Sequence, residues 1–470
     1  MNYNAISPEL LARFSDITGA EFCHTDADSC ARFGHDETED LKFPPSVVLR
    51  PGSVEEVSAI LRLANEHLIP VTAIGGQTGL SGGALPVFGG IGLAMHRFNR
   101  ILDIDENNLQ VTVEPGVITH ELREAVARRG LFYPPDPSSM GSCFIGGNVS
   151  ENAGGARAVK YGVTKDYVLN LEVVLANGEI IRTGADTLKN ATGYNLTQLM
   201  VGSEGTLGII TKIVLKLIPK NTHNVLMLVP FYNAGEACQA VADIFKAGMV
   251  PSALEFMERD AIDYALKYVE GISVPIKDAI QAHLLIEVDG NYPEVLMQEA
   301  EKIAALMEQY HIDDILFADT PDEKNALWKM RRSVGEAVKA NSIYKEEDTV
   351  VPRFELPRLL EGIKSIGRKY GFSSVCYGHA GDGNLHVNIM RDSLSDEEWQ
   401  HQVPKGIREI FELTVALRGT LSGEHGIGLV QRNYMDIAFN PTQLALMKGI
   451  KSVFDPNGIL NPGKIFPDTI

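Results

Sequence analysis

Two histidines seven residues apart, His379 and His386, bracket the segment Ala380-Gly-Asp-Gly-Asn-Leu385. Val375-Cys-Tyr-Gly-His379 reads as a strand, Gly381-Asp-Gly-Asn384 as a tight turn and His386-Val-Asn-Ile-Met390 as the returning strand. In that register His379 and His386 are directly opposed across the hairpin, and Tyr377 and Asn388 share their face because strand side chains alternate. Two imidazoles a few ångströms apart suit a divalent metal, and a carboxylate from elsewhere would complete the set. Gly423-Glu-His-Gly-Ile-Gly428 offers Glu424 as that ligand and His425 as a proton acceptor. Met330-Arg-Arg-Ser333 and Tyr344-Lys345 offer cations for a substrate carboxylate, with Arg331 and Lys345 among them. The plainer alternatives are histidines that decorate a hairpin and cations that face solvent.

Glycine concentrates in two places. Gly75-Gly-Gln-Thr-Gly-Leu-Ser-Gly-Gly83 puts five glycines in nine residues directly after the apolar strand Ile69–Ile74. Successive backbone N–H groups in such a turn can converge on an anion such as a phosphate. The spacing matches neither the dinucleotide fingerprint nor the P-loop. Gly79-Leu-Ser-Gly-Gly83 formally matches a nucleophile elbow, but Gly82-Gly-Ala-Leu-Pro86 is a poor start for the helix that motif requires. Pro134-Pro-Asp-Pro-Ser-Ser139 and Gly146-Gly-Asn-Val-Ser-Glu-Asn-Ala-Gly-Gly155 read as loops rich in backbone donors and poor in bulk. They suit a flat polar cofactor, or are simply surface loops.

The elements that must carry these groups follow from patterning. Ser53 with Glu56 three residues on is capping-box spacing for a helix bearing Val57, Ile60 and Leu61. Strands are expected near 91–95, 101–104 and 110–114, and a helix over 119–129. Asn177-Gly178 marks a hairpin, Gly202–Gly208 closes the first half with a long strand at 209–217, and Pro219–Asn224 reads as a linker. In the second half Leu296, Ala300, Ile303 and Met307 recur at helical spacing, an ordinary core stripe. Strands separated by helical crossovers there indicate an α+β domain with an antiparallel sheet.

The chain has 470 residues, too many for a single core. Its 42 basic and 61 acidic residues give a formal charge of −19, which disfavours nucleic acid and anionic membrane as partners. Five cysteines without C-x-x-C spacing read as reduced and cytoplasmic, and include no iron–sulfur pattern.

Taken in order, Ile69–Gly83, Pro135-Asp-Pro-Ser-Ser139, Gly146–Gly155, His379–His386, Gly423–Gly428 and Asn461-Pro-Gly-Lys464 resemble the FAD-linked D-2-hydroxyacid dehydrogenases. That family takes in D-lactate dehydrogenase, D-2-hydroxyglutarate dehydrogenase and the flavin subunit of glycolate oxidase. It lies within the vanillyl-alcohol oxidase and p-cresol methylhydroxylase superfamily. The resemblance implies an α+β fold: a two-subdomain FAD-binding domain over 1–220, completed by 440–470, and a cap domain over 221–439 carrying the metal site.

It also implies the cofactor-binding set Gly75, Gly76, Gln77, Thr78, Gly79, Ser81, Gly82, Pro135, Asp136, Ser138, Gly146, Asn148, Asn152, Gly154, Glu204, Ile209, Asn461 and Lys464. The metal ligands would be His379, His386 and Glu424, with zinc favoured. His425 would be the base, Arg331 and Lys345 would hold the substrate carboxylate, and Asn388 would stand beside them. Gly335 replaces the threonine expected four residues beyond the arginine, which argues against a dicarboxylate. The glycine loop lacks a histidine or cysteine to tether flavin, so FAD should be non-covalent.

The expected reaction is oxidation of a D-2-hydroxyacid, D-lactate or glycolate favoured, to the 2-oxoacid, with hydride passing to flavin N5. Electrons would leave to a separate acceptor: electron-transfer flavoprotein, a quinone or an iron–sulfur subunit. A homodimer, and a membrane reached only through a partner, are compatible with this. The competing classes are a metal-dependent hydrolase using the same ligands and a flavin oxidase that reduces dioxygen.

Overall fold

The computed structural model describes residues 3–38, 41–270, 274 and 276–468. The chain divides into two compact units, one made of residues 1–154, 163–220 and 424–470, the other of 155–162 and 221–423.

The first unit contains β1 (Cys23–His24), β2 (Val47–Leu49), β3 (Val71–Ile74) and β4 (Ile91–Ala94), a mixed sheet in the order β1-β2-β4-β3. The helix Val54–Glu66 crosses between β2 and β3 and buries Val57, Ile60, Leu61 and Ala64 in the core. Its start is fixed as the residue types require: Ser53 Oγ accepts from Glu56 N at 3.3 Å, and Glu56 Oε2 accepts from Gly52 N at 2.7 Å.

β5 (Ile101–Asp105) and β6 (Gln110–Val113) open a second sheet. After β7 (Leu131–Phe132) the chain returns to it with β8 (Val168–Val174), β9 (Ile180–Arg182) and β10 (Ile209–Lys216). The order is β5-β6-β10-β8-β9, antiparallel throughout. β11 (Ile218–Pro219) pairs with β7.

Two features of this unit differ from the sequence pattern. The glycine-rich stretch after Phe144 is a helix, Ile145–Glu151, ended by Asn152 at φ 55°. Ile145 and Val149 are fully buried, and a side chain on Gly146 would collide with Pro115, so packing overrides glycine's weak helix propensity. The C-terminal segment also joins the first sheet: Val71 N donates to Ile459 O and Asn461 N donates to Val71 O, both at 2.8 Å. Val71 and Leu460 form a parallel bridge.

The second unit is built on β12 (His223–Phe231), β13 (Ala253–Glu258), β14 (Ala282–Gly290), β15 (Leu316–Ala318), β16 (Tyr344–Val350), β17 (Ser373–Gly378) and β18 (Asn384–Met390). They form one antiparallel sheet in the order β15-β12-β14-β13-β17-β18-β16. The helix Pro293–Met307 packs on it through Leu296, Ala300, Ile303 and Met307, the stripe read from spacing. The 155–162 segment is fastened to β14 by charge. Arg157 Nη1 lies 2.8 Å from Glu287 Oε1, Lys160 Nζ lies 2.6 Å from Asp289 Oδ1, and the Tyr161 hydroxyl donates to Asp289 Oδ2 at 2.7 Å.

The β17–β18 hairpin corrects the expected register. His386 pairs with Tyr377, and Asn388 with Val375. His379 lies beyond the strand end, where Ala380–Asp382 forms a 3-10 turn and Gly383 takes φ 86°. The slip is by an even number of positions, so the face is preserved. Among the described residues no helix is long and apolar enough to cross a membrane.

Buried His283 on β14 gives this unit a pH dependence. Burial, with Arg259 adding to it, pushes its pKa down to about 4, against an ordinary 6.5. Between those values the unfolded chain binds a proton that the folded chain does not. Stability therefore falls as pH drops from 6.5 toward 4, by up to about 1.4 kcal/mol per pH unit. Urea unfolding at pH 7.5, 6 and 5 should show this loss, and His283→Gln should flatten it.

Candidate functional site

In the first unit an open cleft, about 610 Å³ with the solvent at its mouth included, lies between the two sheets' edges and the 145–151 helix. Ile74, Met95, Phe144 and Ile209 give it apolar walls, while Gly75, Gly83, Gly146, Gly147 and Gly205 leave bare backbone. A side chain added to Gly147 would meet nothing within 4 Å. Two carboxylates, Glu151 and Glu204, also line it. Ser81 Oγ and Glu151 Oε2 are closed to solvent and have no hydrogen-bond partner among the described residues. A cleft with apolar walls, exposed backbone and, at Glu151 Oε2, an unsatisfied polar atom fits a cofactor with apolar faces and polar edges.

Of the residues expected to bind cofactor, Gly75, Gly146, Glu204 and Ile209 line this cleft. Several others brace it. Gln77, at φ 58°, donates through its amide to Arg32 O at 2.9 Å and His35 O at 2.6 Å. Gly79 O accepts from Glu37 N and from the Thr38 hydroxyl, and Gly82 N donates to Thr38 Oγ1 at 2.6 Å. Ser81 O accepts from Leu429 N and Val430 N. Gly76 packs against the Ser142 carbonyl, where a Cβ would stand at 2.5 Å, and Thr78 is half-buried in the same turn.

Asn148 donates to Thr119 Oγ1 at 2.6 Å, and Asn152 Oδ1 accepts from Lys165 N at 2.9 Å. Pro135 and Asp136 are buried, with Asp136 Oδ2 3.8 Å from Arg123 Nη1, whereas Ser138 is exposed. Gly154 leaves room for Glu424, whose Oε2 would be 2.7 Å from any Cβ there.

Asn461 and Lys464 tie the unit together. Asn461 Nδ2 donates to Gly83 O at 2.8 Å and to Glu204 O at 2.7 Å. Lys464 Nζ donates to Leu85 O at 2.6 Å and Asn461 Oδ1 at 3.1 Å. Burial pushes the Lys464 pKa down to about 8, against the pull of Glu204 and Asp36.

The second unit holds the histidine pair. His379 and His386 ring centroids are 5.4 Å apart and nearly perpendicular. His379 Nδ1 lies 2.9 Å from both carboxylate oxygens of Glu255. A carboxylate there fixes the tautomer with the proton on Nδ1 and the lone pair on Nε2, the arrangement usual for a metal-ligating histidine. His386 Nδ1 lies 3.6 Å from Asp348 Oδ1 and 3.7 Å from Glu346 Oε1. Asp348 also accepts from Gly423 N at 2.8 Å and the Ser422 hydroxyl at 2.9 Å, which fixes the chain immediately before Glu424. His425 is half-buried between Glu424 and Gly426, a glycine at φ 81°.

Arg331 is 4% exposed, with Nη2 2.7 Å from Glu255 Oε2 and its guanidinium 5.2 Å from the Tyr377 ring centroid. Its Nε is buried without a hydrogen-bond partner among the described residues. Asn388 is fully buried on the His386 face. Lys345 corrects its expected place. It pairs with Ile389, so alternation turns it away from the His386 and Asn388 face, and its Nζ sits 5.5 Å from the Trp399 ring centroid.

Glu255, which joins His379 to Arg331, was not foreseen. The available signal was a carboxylate inside the apolar run Ala253-Leu-Glu-Phe-Met257, all of it buried. Glu151 and Thr38 were missed as well.

Residues 45–184 match the model of an FAD binding domain, and residues 220–465 match that of the FAD linked oxidases, C-terminal domain. The glycolate oxidase subunit GlcD of Bacillus subtilis is 42% identical over 92% of this chain and 92% of its own. A D-lactate dehydrogenase of Anaerostipes hadrus is 39% identical over 98% of each chain. A D-2-hydroxyglutarate dehydrogenase of Stutzerimonas stutzeri is 34% identical over 94% of this chain and 95% of its own. Among solved structures, 4-ethylphenol oxidase from Gulosibacter chungangensis superposes with TM-score 0.76 at 21% identity over 100% of this chain and 99% of its own. p-Cresol methylhydroxylase does so with TM-score 0.76 at 19% identity over 97% and 96%.

The fold is therefore that of the p-cresol methylhydroxylase group, α+β, with antiparallel sheets beside one small mixed sheet. The chain belongs to the FAD-linked oxidase family and is an FAD-linked oxidoreductase.

Truncating Glu255 strands a buried guanidinium and the His379 N–H. Glu255→Ala should destabilise the second unit by about 3–5 kcal/mol. A urea midpoint unchanged from the parent would remove Glu255 from that role.

Proposed function

We propose that the chain oxidises a small D-2-hydroxyacid, D-lactate or glycolate before larger acids, to its 2-oxoacid in an FAD-dependent, metal-assisted reaction. The observation that supports this reading is buried Arg331, its Nε without a hydrogen-bond partner among the described residues, joined through Glu255 to His379. A desolvated guanidinium with a spare donor is a carboxylate site. When bound, FAD supplies a hydride acceptor at N5, and a divalent metal held by His379, His386 and Glu424 supplies a Lewis acid. Zinc suits two imidazoles and a carboxylate, as do manganese and iron.

In this reading Arg331 holds the substrate carboxylate and His425 takes the proton of the 2-hydroxyl. Buried Asn388 keeps the floor polar. A small acid is favoured because Gly335 has no hydroxyl to offer a second carboxylate, and a Cβ there would already lie 3.1 Å from the Tyr377 hydroxyl. The regions over 1–220 and 440–470 serve the flavin and those over 221–439 the substrate. Relatives named as glycolate oxidase subunits support a partner that accepts the electrons, whether an iron–sulfur subunit, an electron-transfer flavoprotein or a quinone.

Anaerobic absorption spectra with a panel of D- and L-2-hydroxyacids test this. Flavin bands should bleach with D-lactate or glycolate, and a chelator should slow the bleaching. Bleaching by none of the acids would overturn the substrate class. His425→Asn should keep the flavin spectrum and the metal content while bleaching falls by about 10²–10⁴-fold. A normal rate in that variant would remove His425 as the base.

A further inference from the structure

We propose that Glu151 stands in the first unit's cleft as a neutral carboxylic acid whose O–H donates a hydrogen bond to the flavin ring. The inference rests on the reading that this cleft holds FAD. Glu151 closes the helix Ile145–Glu151 and lines the cleft together with Glu204. The two carboxylates have unequal surroundings. Glu204 accepts from Ile427 N through Oε1 and from Gly428 N through Oε2, both at 2.8 Å, which stabilises its charged form. Glu151 Oε2 has no such partner among the described residues.

Both carboxylates abut Gly426, where a side chain would run into Glu151 Oε2 and come within 3.2 Å of Glu204 Oε1. The charged groups acting on Glu151 are Glu204, Asp36 and Lys464, so a single cation stands against three carboxyl groups. Lys464 already donates to Leu85 O and Asn461 Oδ1. Burial first, then the Glu204 charge, hold the Glu151 carboxyl well above its ordinary range. Burial raises the Glu204 carboxyl too, but its two backbone donors pull the other way, so the geometry places the proton on Glu151, which has no backbone donor among the described residues.

A protonated acid has a use here that a carboxylate lacks. Taking up a hydride, two electrons with one proton, adds one negative charge to the flavin ring. A donor bonded to the ring is strengthened by that charge, whereas a carboxylate in its place would oppose it. Glu151 would then favour the reduced cofactor over the oxidised one. A hydrogen bond to the cofactor's phosphates would act equally in both redox states and leave the potential unmoved.

The experiment uses the FAD-loaded protein with Glu151→Gln, which is neutral and keeps a donor, and Glu151→Met, which has none. The oxidised-minus-reduced infrared spectrum of the unmutated holoenzyme should contain a carboxylic-acid C=O band that shifts on reduction and is absent from Glu151→Gln. The flavin midpoint potential of Glu151→Gln should stay close to the parent. That of Glu151→Met should fall by a tenfold loss of preference for reduced flavin, about 30 mV for a two-electron couple.

Bound flavin without that band, or an unchanged potential in Glu151→Met, would overturn the proposal and leave the hydroxyacid reading standing. The infrared result decides the matter even if Glu151→Met fails to retain FAD. Failure of the parent protein to bind FAD at all would overturn both.

Discussion

One side-chain amide holds the first unit's cleft in shape. Asn461 donates to backbone carbonyls from the glycine loop and from the 203–209 turn, and its oxygen accepts from Thr72 and Lys464. Three stretches of chain remote in sequence, 72–83, the turn at Glu204 and 461–464, are thus registered by a single planar group. Each of these polar atoms is buried, so a loop displaced from this arrangement leaves unpaired donors and acceptors, which costs more than the bonds themselves are worth. The backbone accepts a positive φ of 40° at Asn461 to make the geometry possible. The bare glycine walls depend on this hub, because glycine supplies no side chain to hold itself in place.

The second unit uses charge differently. Glu255, Arg331 and His379 are all nearly inaccessible, and each fixes the others' orientation. Desolvating such groups costs more than their attraction returns unless the geometry is good, so their value lies in presenting fixed dipoles rather than in stability. The Asp348 carboxylate extends the same logic by gathering His386, Ser422 and Gly423 around one acceptor.

How much of this was legible depended on whether the signal was local. The Ser53–Glu56 cap and the Leu296–Met307 stripe lie within a few residues of their partners, and both are where spacing put them. The histidine pair was legible as residue types and face, but not in register, because the 3-10 turn after His379 uses residues that a tighter turn would not. The helix at 145–151 was hidden because glycine scores against helices, and what stabilises it is Pro115 and the buried Ile145 and Val149. Glu255 was hidden because its partners are 76 and 124 positions away. The orientation of Lys345 depends on the parity of its strand, since it pairs with Ile389 and not with Asn388, and parity is set by a register with a strand some forty residues away.

The chain passes between its two units four times, at 154/155, 162/163, 220/221 and 423/424. Residues 424–470, which add a strand partner to β3 and supply Asn461 and Lys464, are synthesised only after the whole of the second unit. On the ribosome the first unit must therefore wait, its first sheet exposed along one edge, while some two hundred residues of the other unit emerge and fold. A deletion that removed 221–423 as a cassette would leave the 155–162 segment, with Arg157 and Lys160, without the β14 carboxylates that hold it. Neither unit is a module that can be cut out along the sequence.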